Sequence, residues 1–246
     1  MKKFIYAILS LIFVFTSIYS IYQIYHILNQ NHVEKAQNEY LNNIAMKPLS
    51  KPQQERNPYD IEIDFDALQN ENEEIIAWIK IPDTDIDYAI VQGSDNDYYL
   101  HHNALKEENY AGAVFVDYRN AKPFEEEHTI IYAHNVKHGT MFASLELFGD
   151  ETFYKKHPIY YLYTPKGNYE VEIFAFYTTT STSDAYELYD INHYVSKWQE
   201  NSQFQSQVQL TEDDCFVTLS TCSYERNNQP SELRHVLKGV LKKLSK

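Results

Sequence analysis

The sequence has few cysteines and few glycines, and it lacks an excess of positive charge. Its 246 residues include two cysteines and six glycines, and 21 Lys and Arg face 35 Asp and Glu, giving a net charge of −14. Proteins that bind nucleic acid present a basic face to the phosphates, so this balance argues against nucleic acid as a partner. The Lys and Gly positions also form neither a P-loop nor a dinucleotide-binding fingerprint.

Charge is absent from one long segment near the N-terminus. Lys2 and Lys3 precede an uncharged, mostly apolar run over residues 4–28. As a helix this run would be about 37 Å long, enough for a tilted membrane crossing. The lysine pair favours a cytoplasmic N-terminus. A cleaved signal peptide is the competing interpretation, but the run is long and no A-x-A-like cleavage site follows it.

We therefore predict an uncleaved single-pass anchor and an extracellular domain. The predicted regions are a cytoplasmic tip at residues 1–3, a transmembrane anchor at 4–28, a stalk or linker at 29–58 and a folded domain at 59–246. The stalk is polar and contains prolines in its second half, which is typical of a spacer. Its first half is able to continue the helix.

The two cysteines, Cys215 and Cys222, are not expected to pair. On one extended strand they would lie roughly 23 Å apart, whereas a disulfide needs Cα atoms within about 7 Å. Their odd separation also places the side chains on opposite faces of a strand. We predict Cys215 to be a buried apolar residue and Cys222 a free thiol. A free thiol in an extracellular protein suggests a use for it.

Hydrophobic patterning beyond residue 59 predicts a mainly β domain. Short runs rich in β-branched and aromatic residues, separated by polar segments, indicate about eight strands, at 78–81, 85–92, 113–117, 128–134, 159–164, 169–177, 215–219 and 236–244. Helical spacing predicts helices at 64–77 and within 181–204, and short helices are expected at 95–101, 141–147 and 151–156. Closing the sheet removes exposed strand edges, so we expect an eight-stranded β-barrel with peripheral helices.

Residues suited to acyl transfer stand at three predicted strand ends. Cys222 can supply a thiolate nucleophile, His134 can move a proton, and Arg234 offers a fixed plane of donors for a developing oxyanion. Other interpretations are possible. A Cys that ends a strand is usually just buried, and Arg226 in the following loop is an alternative to Arg234 as the cation. His134 and His138 are four apart, but His134 ends a strand and the pair lacks the Glu of a zinc-binding helix, so no metal site is predicted.

The TLSTC motif at residues 218–222 resembles the TLxTC motif of sortases, the membrane-anchored cysteine transpeptidases of Gram-positive bacteria. The resemblance covers nearly all of the chain from Trp78 onward. The stretches at 78–82, 92–103 and 139–142 are most similar to class B sortases. Two positions depart from the family pattern: Ala133 stands where many relatives have Gly, and His235 stands where an apolar residue is common.

The resemblance implies a sortase-like β-barrel with Cys222, His134 and Arg234 as the catalytic residues. It implies an enzyme of the cell membrane that cleaves a C-terminal sorting signal of secreted proteins through a thioacyl-enzyme. The acyl group would pass to an amine of the cell-wall peptidoglycan precursor, with no cofactor. The helix within 181–204 resembles the class B insertion that walls the substrate groove.

Other functions stay open from the sequence. A cysteine endopeptidase that uses water as the acceptor would need the same residues. A sortase that polymerises pili is a third possibility, because the stalk sequence does not exclude a lid. The 22 tyrosines would also suit a non-catalytic surface-binding module, which could lose Cys222 without consequence.

Overall fold

Eight strands close into a barrel in the computed structural model, which describes residues 2–46, 61–136, 139–223 and 232–244. The strands are β1 Ile75–Lys80, β2 Asp87–Val91, β3 Val114–Val116, β4 His128–Tyr132, β5 Ile159–Thr164, β6 Gly167–Thr180, β7 Phe216–Cys222 and β8 Leu233–Lys243. Their order around the barrel is β1-β2-β3-β4-β7-β8-β6-β5. The predicted eight-stranded barrel is therefore confirmed.

Strand pairing is antiparallel except between β2 and β3 and between β4 and β7. Side chains alternate between the two faces of a strand, and β7 shows the result: Val217 and Leu219 point into the main apolar core inside the barrel. Thr218, Ser220 and Cys222 consequently point outward. Cys222, the predicted nucleophile, therefore lies on the outer face of β4, β7 and β8.

Helix α1, Lys2–Ala45, combines an exposed first part with a packed second part. Its stretch Lys2–His26 has a mean hydropathy of 2.2 and is long and apolar enough to cross a membrane. Further along, Leu41 and Ala45 are buried in a cluster with residues of α2 and the outer faces of β1, β2 and β5. The first half of the predicted stalk therefore continues the helix and packs on the barrel. The region boundaries at 28 and 58 stay predictions, and residues 47–60 lie outside the described part.

The short helices are α2 Phe65–Glu71, α3 Tyr98–His101, α4 Glu151–Lys156 and α5 Asn192–Glu200, with 3-10 helices at Ala143–Gly149 and Asp184–Tyr186. The predicted helix at 64–77 is too long, because residues from Ile75 onward form β1. The Asp64 side chain caps the start of α2 by accepting the N–H of Ala67 at 3.1 Å. The β-branched pair Ile75-Ile76 then enters the sheet, where pairing with β2 outweighs the local helical spacing.

The segment between β6 and β7 covers the outside of the barrel. It contains the second 3-10 helix and α5, and it buries Trp198, Ile191 and Ala185 against outward side chains of β4, β7 and β8. The predicted helix within 181–204 is present as α5. This insertion borders the end of β7 that carries Cys222.

Candidate active site

Strand register brings the three predicted site residues to one end of the barrel. Cys222 is the last residue of β7 and lies directly opposite Arg234 of antiparallel β8. The parallel neighbour β4 pairs Tyr132 with Ser220, and the N–H of Ala133 donates to the carbonyl of Ser220 at 3.2 Å. Two residues beyond that pair, His134 flanks Cys222 on the side opposite Arg234.

Alternation along the strands places all three side chains on the same outer face. Thr221, one residue before Cys222, points the other way, and its hydroxyl donates to the carbonyl of Ala133 at 2.8 Å. This bond locks the end of β7 to the residue that precedes His134. The fold thus places the three predicted residues in one row on this face, and their catalytic roles stay predictions.

His134 is held in a single tautomer. Its Nε2 lies 2.9 Å from the carbonyl oxygen of Leu100, and because a carbonyl can only accept, Nε2 carries the proton and Nδ1 carries the lone pair. Burial lowers the pKa of His134, and the nearby His101 and Arg234 lower it further, against the opposing effect of the Leu100 carbonyl. A neutral imidazole at neutral pH can accept a proton.

Arg234 supplies positive charge beside the thiol. Its Nη1–H donates to the carbonyl of Leu233 at 2.9 Å. Burial raises the pKa of Tyr186 to about 12, and the nearby Cys222 adds to this rise while Ser220 and Arg234 oppose it. The Tyr186 hydroxyl lies 2.8 Å from the hydroxyl of Ser220, which is two residues before Cys222 on the same face of β7. The row of three is thus bordered by a tyrosine from the β6–β7 insertion.

A cysteine, a neutral histidine and an arginine in this order support thiol acyl transfer. Residues 79–242 match the family model of the sortase domain. The chain belongs to the sortase family. It is 42% identical over 179 residues to Sortase B of Listeria monocytogenes, covering 71% of this chain and 72% of that protein. Sortases are cysteine transpeptidases, so the enzyme class predicted from the motif is confirmed.

Solved structures of class B sortases are similar to this chain. Sortase B from B. anthracis in complex with AAEK1 is 34% identical, with a TM-score of 0.73, over 89% of this chain and 100% of that chain. A Staphylococcus aureus sortase B–substrate complex is 31% identical, with a TM-score of 0.68, over 74% of this chain and 85% of that chain. The class B resemblance and the barrel of this sortase are therefore confirmed.

The structure also bears on the predictions made for the two cysteines. Cys215 and Cys222 are both free and half-buried, and Cys215 lies just before β7 rather than fully inside the core as predicted. Burial raises the pKa of the Cys215 thiol, and Asp214 and Glu127 raise it further, which keeps this thiol protonated.

The alternative cation Arg226 and the second histidine of the excluded metal pair, His138, lie outside the described residues. Within the described ranges, no three His, Cys, Asp or Glu side chains are grouped to hold a metal ion.

The unusual His235 of this sortase does not face Arg234. Strand alternation turns its side chain inward, where it is 4% exposed. Its Nδ1 lies 3.1 Å from the Thr178 hydroxyl, and its ring stacks on Phe176. Its Nε2 is 3.8 Å from the Glu146 carboxylate. His235 therefore supports the barrel end beneath the site and does not crowd the arginine.

Asn135 is a site residue that sequence reasoning missed. Its side-chain amide donates to the carbonyl of Cys222 at 3.0 Å and to the Glu146 carboxylate at 2.5 Å. The next loop returns beside it, and the N–H of Phe142 donates to the carbonyl of His134 at 3.0 Å. Asn135 thus ties the histidine segment to the cysteine backbone. Its place directly after His134 was the one signal in the sequence.

Proposed function

We propose that this sortase acts through a thioester on Cys222, with His134 carrying the proton and Arg234 binding the oxyanion or the bound signal. The observation that supports these roles is the row His134–Cys222–Arg234, set by the register of three neighbouring strands. The neutral state of His134 and the fixed charge of Arg234 match the needs of the two roles.

In the first half-reaction, the Nδ1 lone pair of His134 accepts the proton from the Cys222 thiol. The sulfur then attacks the carbonyl carbon of the scissile peptide bond, and negative charge develops on the carbonyl oxygen. Arg234 stabilises this charge because a guanidinium offers several N–H donors in a fixed plane. The C–N bond breaks, and His134 returns the proton to the leaving amine.

In the second half-reaction, an amine attacks the thioester carbon and loses a proton to His134. The C–S bond breaks, and the departing sulfur of Cys222 receives the proton. A new amide bond and the original thiol result, so no external reductant or cofactor is consumed. We propose that the acceptor is an amine of the peptidoglycan precursor.

The substrate and location follow from the same reasoning. The S. aureus relative was solved as a substrate complex, which supports substrate binding by this chain, here a C-terminal sorting signal of a secreted protein. We propose that the first part of α1 anchors the enzyme in the cell membrane with the catalytic domain outside. Lys2-Lys3 before the apolar stretch supports this orientation.

Trapping the acyl-enzyme tests the proposal. The full chain in detergent is incubated with a peptide library, and intact-mass and fragment spectra locate any acyl group. We expect acylation at Cys222 in the wild type and in Cys215→Ala, and none in Cys222→Ala. Product release by Cys222→Ala would refute the mechanism. Equal product with and without added amine would make water the acceptor and favour the endopeptidase interpretation.

A further inference from the structure

A fully buried lysine lies beneath the β6–β7 insertion. Lys238 of β8 is directly opposite Thr218 of β7, and it is 0% exposed. Its Nζ donates to the carbonyl of Ala185 at 2.8 Å and lies 3.4 Å from the centre of the Trp198 ring. The lysine therefore connects the barrel wall to both helical parts of the insertion.

Two more side chains hold the neighbouring carbonyls of the same segment. An Nη2–H of Arg119 donates to the carbonyl of Tyr186 at 3.3 Å. The Nδ1–H of His128 donates to the carbonyl of Glu187, with 2.6 Å between the heavy atoms. With Lys238 on Ala185, the consecutive carbonyls of residues 185–187 each accept from a different part of the barrel. Such a dense set of side-chain bonds fixes this short backbone segment.

Burying the Lys238 side chain is energetically unfavourable. Burial lowers the pKa of Lys238 far below its ordinary value, and Asp184 only partly opposes this. Its outward neighbours on β8, Val236 and Val240, are apolar and buried, so an apolar side chain would fit the same layer. A buried amine is tolerated only when it is bonded, and the bond that Lys238 makes is to the insertion.

The fixed segment carries the tyrosine that borders the site. The hydroxyl of Tyr186 and that of Ser220 are 2.8 Å apart, and the Tyr186 ring stacks on Tyr132 with 6.2 Å between centroids. Ser220 and Tyr132 each lie two residues before a member of the catalytic row. A shift of the backbone at Ala185 would therefore move the Tyr186 ring relative to Cys222 and Arg234.

We propose that Lys238 is a positioning residue for peptide binding: its amine holds Ala185 and thereby keeps Tyr186 beside Cys222 and Arg234. Lys238 stands four residues from Arg234 on β8, about 13 Å along the strand, and acts only through the insertion. Because the effect is measured at Cys222, the role of Lys238 rests on the proposed function of that thiol.

Lys238→Met tests the role, because methionine is of similar length and is unable to donate. In the full chain in detergent, with the library peptide that acylates Cys222 fastest, we expect KM to rise about tenfold, the equivalent of one lost hydrogen bond, with a smaller change in kcat. Reaction of Cys222 with methyl methanethiosulfonate, which forms a methyl disulfide on the thiol and releases methanesulfinate, should keep the wild-type rate, since this small probe needs no groove.

Lys242→Met is the matched control. Lys242 lies on the same strand and face, but its Nζ binds Asp214, two residues before β7, at 2.7 Å and makes no bond to residues 185–187. We expect wild-type KM from this variant. Lys238→Gln keeps an N–H donor and should give a KM between those of the wild type and Lys238→Met. If Lys238→Met does not fold, the same measurements are made on Lys238→Gln.

A double-mutant cycle with Tyr186→Phe shows whether Lys238 acts through the tyrosine. Coupled residues give non-additive effects, so we expect the double variant to raise KM by less than the product of the single effects. A wild-type KM in a Lys238 variant with an altered Tm, or strictly multiplicative effects, would overturn the positioning role. In either case, continued acylation of Cys222 would leave the proposed function intact.

Discussion

The strands β4, β7 and β8 carry polar side chains at two places on one outer face, and the two places differ in cover. At the strand ends lie His134, Cys222 and Arg234. Further along the same strands lie His128, Thr218 and Lys238, which the β6–β7 insertion buries completely.

The side chains of the buried group, His128, Thr218 and Lys238, form hydrogen bonds to other residues of this chain. His128 joins the Thr218 hydroxyl at 2.6 Å and the Glu187 carbonyl, and Lys238 joins Ala185. At the strand ends, by contrast, Cys222 is half-buried and the imidazole keeps a lone pair on Nδ1. Similar residue types thus fix structure where the insertion covers them and are available for chemistry where the insertion stops.

The largest expected effect separates the two histidines. His134→Ala should lower the rate of acyl-enzyme formation by about 10²- to 10⁴-fold, because both half-reactions need proton transfer. His128→Gln should lower it by less than about tenfold, the scale of one lost hydrogen bond. Stopped-flow acylation with intact-mass detection measures both, and circular dichroism checks folding. A greater loss in the His128 variant would reverse the assignment.

Arg234→Lys should be impaired although it keeps the charge, because an ammonium lacks the planar fork of donors. We expect a loss of about 10- to 100-fold in kcat/KM for the peptide. Arg226→Ala, outside the described residues, should stay close to the wild type. An inactive Arg226→Ala together with an active Arg234→Ala would show that the wrong cation was assigned.

Acid should weaken the fold through the buried histidines. Burial lowers the pKa of His128 and of His134 from the ordinary value of 6.5, so below that pH the unfolded chain binds more protons than the folded chain. The free energy of unfolding therefore falls as the pH drops below 6.5, by about 1.4 kcal/mol per pH unit for each fully neutral buried histidine.

Thermal unfolding of the full chain in detergent between pH 7.5 and 5 measures this slope. His128→Gln should flatten it by one histidine's share, whatever its effect on Tm at pH 7.5. His193→Gln is the matched substitution at an exposed histidine. An unaltered slope in the His128 variant would mean that His128 is not held neutral.

The smallest effect is expected at the other cysteine. Cys215→Ala should reduce the free energy of unfolding by about 1 kcal/mol or less, because the side chain is only half-buried. Peptide acylation should be unchanged. A loss of acylation as large as that of Cys222→Ala would show that the two thiols are not distinct in function.

The barrel and the row of three were predictable because both follow from local pattern. Runs of β-branched residues mark the strands, and Cys222 ends one of them. The β1 boundary was not predictable, since Ile75 fits a helical stripe until β2 pairs with it. Lys238 gave no local signal and Asn135 gave only its place directly after His134, because their partners lie 53 and 87 residues away in sequence. The docking of α1 likewise depends on distant contacts.

The proposed membrane anchor in helix α1 has a consequence for the height of the active site above the membrane. With the stretch Lys2–His26 in a membrane, as proposed, eight residues lead from His26 to Glu34, which is already buried, a rise of about 12 Å. An unbroken helix of that length is a short rigid connection, unlike a flexible linker. On this proposal the barrel would be held at a fixed height just above the bilayer, and a substrate would have to be delivered to that height for its scissile bond to meet Cys222.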